Sequence, residues 1–350
     1  MTTRAPLAAD SLPSRWPTVA GAVLLLTAIV SVLLAAFAWP SVRSSVHDVP
    51  IAVAGPSAAV APVRAALDRQ LPGGFVITEV ADTAAAEQLV RDRRVYGAID
   101  LGSGGAQVIV ASAASPAVAQ TLQGVAGGLA RAGGPGATVR DLAALPADDP
   151  RGAGLAAGAL PLVMGGLLAA VLLTRFVRGT SRRVVGALAF ATTGGLAVAA
   201  ILQFWLGSLS GSYLANAGAV GLSIAAIAST VLGLEALLGY AGIGIGAVVM
   251  MLIGNPLSGT ATAPEMLPGW SGALGQMLPP GAGGRLLRST AFFDGRGAAH
   301  AVVVLLVWLT LGLALCLVGG LRARRAAGEA RGLPGTRGSA VPHHVGTRTG

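Results

Sequence analysis

Residues 18–39, TVAGAVLLLTAIVSVLLAAFAW, contain no charged side chain. In a helix rising 1.5 Å per residue they extend about 33 Å, which matches a hydrocarbon core of ~30 Å. The run is longer than the roughly 7–15-residue apolar region of a secretory signal, so the cleavage-like Ala35-Ala36-Phe37-Ala38 is read as part of a span. Trp16 and Trp39 bracket it as interfacial anchors. A water-compatible stretch follows to about residue 150. From Leu155 to Leu321 the chain is apolar again, broken by short loops.

This layout predicts an α-helical polytopic membrane protein with six transmembrane helices and one extracytoplasmic α/β domain inserted between helices 1 and 2. Hydrophobic residues make up 53% of the 350 and charged residues only 11%, values outside the ordinary soluble range. The predicted spans are Thr18–Trp39, Leu155–Leu173, Val184–Leu206, Ala215–Leu234, Leu237–Ile253 and Ala301–Gly319. One helix across the fourth and fifth would be about 60 Å long, twice the bilayer. A tight hairpin with its turn among Gly233, Glu235, Gly239 and Tyr240 is predicted instead. The domains follow: 1–17 a cytoplasmic N-terminus, 18–39 the first helix, 44–150 the outside domain, 155–321 a five-helix unit with a re-entrant segment at 255–298, and 322–350 a disordered cytoplasmic tail.

Arginine sets the expected orientation. With residues 1–17 inside, the cytoplasmic segments hold arginines 4, 15, 175, 178, 182, 183, 322, 324, 325, 331, 337 and 348 and the acids Asp10, Glu235 and Glu329. The whole net charge of +9 then lies on that face, and the twelve arginines and twelve acids outside cancel. The chain is thus placed in the plasma membrane with both termini cytoplasmic. The basic excess is juxtamembrane, so a lipid bilayer and no nucleic acid is the expected partner.

The basic residues are all arginine; there is no lysine. A phosphate-binding P-loop lysine and a Schiff-base lysine are therefore absent, and any ATP hydrolysis belongs to another chain. The single cysteine, Cys316, allows neither an internal disulfide nor a cysteine metal site. No Gly-x-Ser-x-Gly elbow and no His-Glu-x-x-His occurs, and His343-His344 in the tail lacks further ligands. The expectation is a non-enzyme without cofactor or metal.

The outside domain reads as β-α-β-α-β-β-α-β. Pro50–Gly55 is a strand, Ser57 caps a helix to about Leu71, Phe75–Val80 is a strand, and Asp82 or Thr83 caps a helix through Arg94. Tyr96–Leu101 and Gln107–Ala111 form a hairpin about Gly102-Ser103-Gly104-Gly105. Ser115-Pro116 opens a third helix and Thr138–Leu142 is a last strand. Arg91-Asp92-Arg93-Arg94 is read as a solvated helix end, with a ligand contact as the alternative, and His47-Asp48 as a solvated linker pair. Gln203, beside Phe204 and Trp205, is placed at the interface. Glu235, the one acid in the apolar block's interior, is read as an interfacial turn residue.

The segment after the fifth span is rich in both proline and apolar residues: Asn255, Pro256, Ser258 and Gly259, then Pro264, Glu265 and Pro268, then Pro279, Pro280 and Gly281, then Arg288-Ser289, then Asp294. Proline and glycine exclude one long helix, and non-helical backbone at membrane depth survives only when buried in protein or lining a cavity. Short helices dipping back against the bundle are predicted. This block resembles the ABC-2 type transporter permease superfamily, in particular the YhgE/Pip (phage-infection-protein-like) and DUF3533-like actinobacterial membrane proteins. Val49–Pro56, Asp92–Asp100, Ala111–Gln120 and Asp149-Pro150-Arg151-Gly152 are similar to that branch as well.

The resemblance implies a permease subunit of an ABC-2-like exporter moving a hydrophobic or amphipathic compound or an envelope component. It also implies an ATP-binding-cassette ATPase partner and a homodimer or paired permease. The expected docking elements are Phe176–Arg183, with Arg178, Arg182 and Arg183, and the turn at Glu235. The alternative expectation is a membrane-anchored display or interaction protein, a phage-receptor-like or scaffold chain without transport.

Overall fold

In the computed structural model, residues 15–102, 105–131 and 137–332 are described. Ser103-Gly104 of the expected hairpin loop and His343-His344 of the tail lie outside them. Helix α1 (Trp16–Val42) leads into strand β1 (Val49–Ala54). Then follow α2 (Ser57–Gln70), β2 (Phe75–Val80), α3 (Thr83–Arg91), β3 (Gly97–Asp100), β4 (Gln107–Val110), α4 (Pro116–Arg131) and β5 (Thr138–Asp141). The five strands form one sheet in the order β2-β1-β3-β4-β5, with β3 and β4 antiparallel and the other neighbours parallel. Alternation along β1 sends Val49, Ile51 and Val53 to one core and Ala52 and Ala54 to the other. Asp82 caps α3 through its carboxylate, 2.8 Å from the Ala85 N–H. Ser57 is the first helical residue of α2, not its cap; Pro56 takes that place.

Among the described residues, five helices are long and apolar enough to cross a membrane, so the chain is a multi-pass membrane protein. They are α1, α5 (Ala153–Phe176), α6 (Thr180–Ala200, continued as a π-turn to Trp205), α7 (Tyr213–Leu238) and α11 (Ala299–Gly332). The expected span at 237–253 is a shorter apolar helix, Tyr240–Gly254, made of α8 (Tyr240–Ala247) and a π-helical stretch. Gly239, at φ 63°, separates it from α7. Gly246 faces Val231 and Gly242 faces Leu234, so the two helices run antiparallel as a hairpin.

Helix α7 is the axis of the bundle and packs against α5, α6, α8 and α11, with 78% of its apolar window buried. Small residues let α11 approach it. A Cβ on Gly312 would lie 2.4 Å from the Ser229 carbonyl carbon, and one on Gly319 would lie 2.6 Å from the Ala236 Cβ. Close backbone contact of this kind is how helices associate in lipid, where apolar side chains gain nothing by leaving the solvent. Helix α11 also runs past its expected end at Leu321 to Gly332, so 322–332 is helical and not a disordered tail. Arginine and alanine there are strong helix formers, and arginine suits a helix C-terminus.

Between α8 and α11 the chain forms short turns at Pro256–Ser258 and Pro264–Met266, then α9 (Ser271–Gln276) and α10 (Pro279–Phe292). Helix α10 dips into the bundle. Its Gly283 touches Ser223, ten residues (about 15 Å) into α7, and Pro280 packs on Gly254. Its other end returns to the sheet side, where Thr290 and Ala291 carbonyls meet Gly211. Side-chain and backbone donors, most of them from other elements, satisfy carbonyls of the irregular stretch. Ser115 Oγ donates to Thr262 O (2.9 Å), Trp308 Nε1 to Met277 O (2.8 Å), Gln276 Nε2 to Ser258 O (2.8 Å), and the Ser45 N–H to Met266 O (3.0 Å).

Asp149 joins the domain to α5. Its carboxylate accepts from the N–H groups of Ala153 (2.7 Å) and Gly154 (2.8 Å), two of the free donors of that helix end. Burial raises its pKa, but the bonds from Gly154, Ala153, the Ser208 hydroxyl and Gly152 outweigh burial and hold it below the ordinary carboxylate value. A depressed folded pKa contributes stability above the unfolded value of ~3.9 that is lost as pH falls through the folded one. Asp149→Asn is expected to lower the melting temperature in detergent at pH 7, by about 1 kcal/mol of stability, and to flatten its fall below pH ~4. Gly312→Ala is expected to cost about 1–3 kcal/mol through overpacking. Gly244→Ala, whose new methyl meets nothing within 4 Å, leaves the melting temperature unchanged or raises it.

A candidate anion-binding cavity at the seam between sheet and bundle

Helix α3 ends at Arg91, and Arg93 takes a left-handed turn at φ 56°. That reversal drives its guanidinium away from solvent and into the bundle. Nη1 donates to the Arg285 carbonyl (3.0 Å) and to Ser289 Oγ. The guanidinium carbon lies 5.2 Å from the centre of the Phe293 ring, a cation–π contact. Asp92 adds an ion pair to Arg296 at 3.5 Å. The solvated helix end expected at 91–94 is therefore wrong for Arg93. The left-handed conformation of Arg93 after α3 sets where its own side chain points, and helical periodicity carries no trace of it.

Behind this contact lies a cavity of ≈ 240 Å³. The sheet domain contributes Arg93, Arg94 and Tyr96. The irregular stretch contributes Ser258, Gly259, Thr260, Pro264 and Glu265; α9 and α10 contribute Gln276, Gly284, Arg285 and Arg288. Four arginines thus face one carboxylate. Tyr96 Oη donates to Glu265 Oε2 at 2.7 Å. Burial first, and then the Glu265 charge and hydrogen bond, push the Tyr96 phenol far up, so it stays neutral and a donor. Burial first and the Arg288 charge second pull Arg93 down to about 9, against the opposing pull of Tyr96 and Glu265. Arg288, 7% exposed, donates through Nη2 to Thr260 O (2.9 Å). Its Nε, the Arg285 Nε and the Gln276 Oε1 are buried without a hydrogen-bond partner.

The expected site residues divide into three groups. Ser258, Gly259, Pro264 and Glu265 line the cavity. Asn255 and Pro256, again with Ser258 and Gly259, line a second cavity of ≈ 210 Å³ beside Phe37 and Pro40 of α1. Pro268 accepts from Ser271 Oγ (2.7 Å), Pro279, Pro280 and Gly281 open α10, and Asp294 is an exposed turn residue at φ 51°.

The expected docking elements meet at the opposite end. Only 177–179 link α5 to α6, so Phe176–Arg183 forms no helix of its own. Arg178 and Arg182 are exposed. Arg183 instead pairs with Glu235 at 3.0 and 3.2 Å and donates to Val177 O and Thr174 O, closing the α5–α6 link onto the last turn of α7.

Arg285 went unnoticed in the sequence, and Arg93 was read as part of a solvated helix end. The signal was Gly-Arg285-Leu-Leu-Arg288, two cations one helical turn apart inside an otherwise apolar segment. No known family model, curated protein or solved structure matches the chain.

Arg93→Ala removes two charge-assisted hydrogen bonds and the ring contact, a loss of about 1.5–3 kcal/mol at the seam. Limited proteolysis at 43–48 and 143–151 is expected to accelerate by roughly tenfold or more relative to wild type, with Arg64→Ala on the exposed face of the domain as the unchanged control.

Proposed function

We propose that this chain is a transmembrane permease subunit of ABC-2 type, moving an amphipathic compound with energy supplied by a separate ATPase. One observation carries the reading. The apolar helix Tyr240–Gly254 stops within the bundle where Gly254 meets Pro280, and α10 continues from that point to the sheet side. Two half-helices joined by irregular polar backbone then make one discontinuous crossing, the sixth. Discontinuous helices next to a buried polar site are a recurrent device of transport proteins, because half-helices can shift without unfolding a whole span.

The orientation follows from charge. Gly320 of α11 lies against Thr180, so the arginines of the α5–α6 link and of 322–325 gather at the end remote from the sheet. By the positive-inside rule that end is cytoplasmic and the sheet domain is outside. An ATPase docking there would meet exposed Arg178 and Arg182 and the Arg183–Glu235 pair. Helix α7, which contacts both that pair's loop and α10, would transmit the motion.

Extraction of the tagged chain from its native membrane in mild detergent is expected to bring down a P-loop ATPase. Arg182→Glu and Glu235→Gln are expected to weaken that association several-fold, while the melting temperature moves by no more than a few degrees. If no ATPase accompanies the chain under any mild condition, and its loss leaves export into vesicles unchanged, the chain is a display protein and the transport reading fails.

A further inference from the structure

We propose that the seam cavity binds a phosphate group, as a free ion or as the headgroup of an anionic lipid, between Arg93, Arg285 and Arg288. The inference stands apart from the transport reading: it concerns a ligand of this cavity, whether that ligand is cargo or a resident.

The first argument is charge. Arg93, Arg94, Arg285 and Arg288 line the space and Glu265 is the one acid among its lining residues. Glu265 is engaged by the Tyr96 hydroxyl, and among the described residues it lies in no ion pair with any of the four. Three positive charges are left over in a space where burial weakens their hydration. A carboxylate ligand would cancel one; a phosphate monoester carries about −1.5 to −2 at neutral pH and cancels most of the excess.

The second argument is unmet hydrogen bonding. Buried donors are almost always paired, and an orphan on a charged group is especially costly. Here the Nε–H groups of Arg285 and Arg288 are buried and unpartnered. Both belong to one helix and lie one turn apart. Arg93 reaches the same space from the sheet domain with Nη1 already committed to Arg285 O and Ser289 Oγ, which holds its plane in place. Guanidinium groups that line the space from both the sheet domain and α10 can offer planar forks in more than one plane, which suits a tetrahedral oxyanion better than a planar carboxylate.

The third argument is space. At ≈ 240 Å³ the cavity is far larger than the roughly 10–15 Å³ that one water requires. Gly284 keeps it open: a Cβ there would lie 2.8 Å from Thr260 Oγ1. Ser258, Gly259 and Thr260 form a shared wall with the second cavity, whose far side is Phe37 and Pro40 of α1 and Leu160 of α5. A lipid headgroup in the first cavity would thus have Phe37, Pro40 and Leu160 close by for its chains, beside the polar Ser41, Ser44 and Asn255.

The test uses the full chain in a neutral detergent, with inorganic phosphate at constant ionic strength and melting temperature as the readout. Native mass spectrometry after exposure to phosphatidic acid, phosphatidylglycerol or phosphatidylcholine provides the second arm. Phosphate is expected to raise the melting temperature, and chloride at equal ionic strength is not. Arg285→Gln is expected to weaken the phosphate effect by about tenfold or more and to leave the ligand-free protein as stable or more so, since it removes an unbalanced charge. Arg94→Gln, at the exposed rim, keeps the test decisive if Arg285→Gln does not fold, with a smaller loss of the same sign.

Retention of phosphatidic acid through extraction, abolished by the variants, identifies the headgroup as the source; a response to phosphate alone identifies the free ion. A melting temperature indifferent to phosphate together with no selective lipid retention overturns the proposal, as does equal stabilisation of wild type and both variants.

Discussion

The peptide groups of residues 255–278 set the terms for the rest of this fold. They interrupt an apolar bundle and cannot all turn to water, so each buried carbonyl needs a donor from protein. Those donors come from distant elements: the cap serine of α4, a linker N–H after α1, the indole of α11, and Arg288 of α10. The stretch therefore serves as the surface on which sheet domain and bundle are joined. Ala263 and Met266 enter the core of the sheet domain, and Leu286 and Leu287 of α10 enter that of the bundle.

The arginine cavity is a by-product of that joint. Helix α10 is packed by α7, α11 and the stretch before it, which buries Arg288 and leaves Arg285 partly buried. Arg93 arrives from the other side because α3 ends in a left-handed turn. Each placement is dictated by backbone, and the result is a concentration of like charge that neither side would hold alone. Such charge is costly in a seam unless a counter-ion balances it.

Much of the architecture was legible in the chain. The long spans at 18–39, 155–173 and 184–206 could be read because lipid demands a continuous apolar length. The apolar run at 50–55, the β-branched residues at 75–80 and the turn residues between the domain's elements placed its strands and helices in the order found. The hairpin at Gly239 could be inferred from length alone. Less legible were positions governed by one residue's dihedral angles. Arg93 looked like any basic helix end, and the helical continuation through 322–332 was masked by its polarity. The pairing of Arg183 with Glu235 joins residues on different helices, and the sequence indicated only that both lay near the same face.

The sequence by itself determined that this is a multi-span chain with a sheet domain between its first two long spans, because hydropathy, β-branched runs and turn residues act locally. It also determined that any lysine-based chemistry is absent. Only the tertiary structure decided that α10 dips to meet the broken helix at Gly254, that small residues bring α11 against α7, and that four arginines from separate segments face one engaged carboxylate. Those outcomes depend on which backbones approach each other and on which polar groups remain unpaired afterwards, and both are properties of packing.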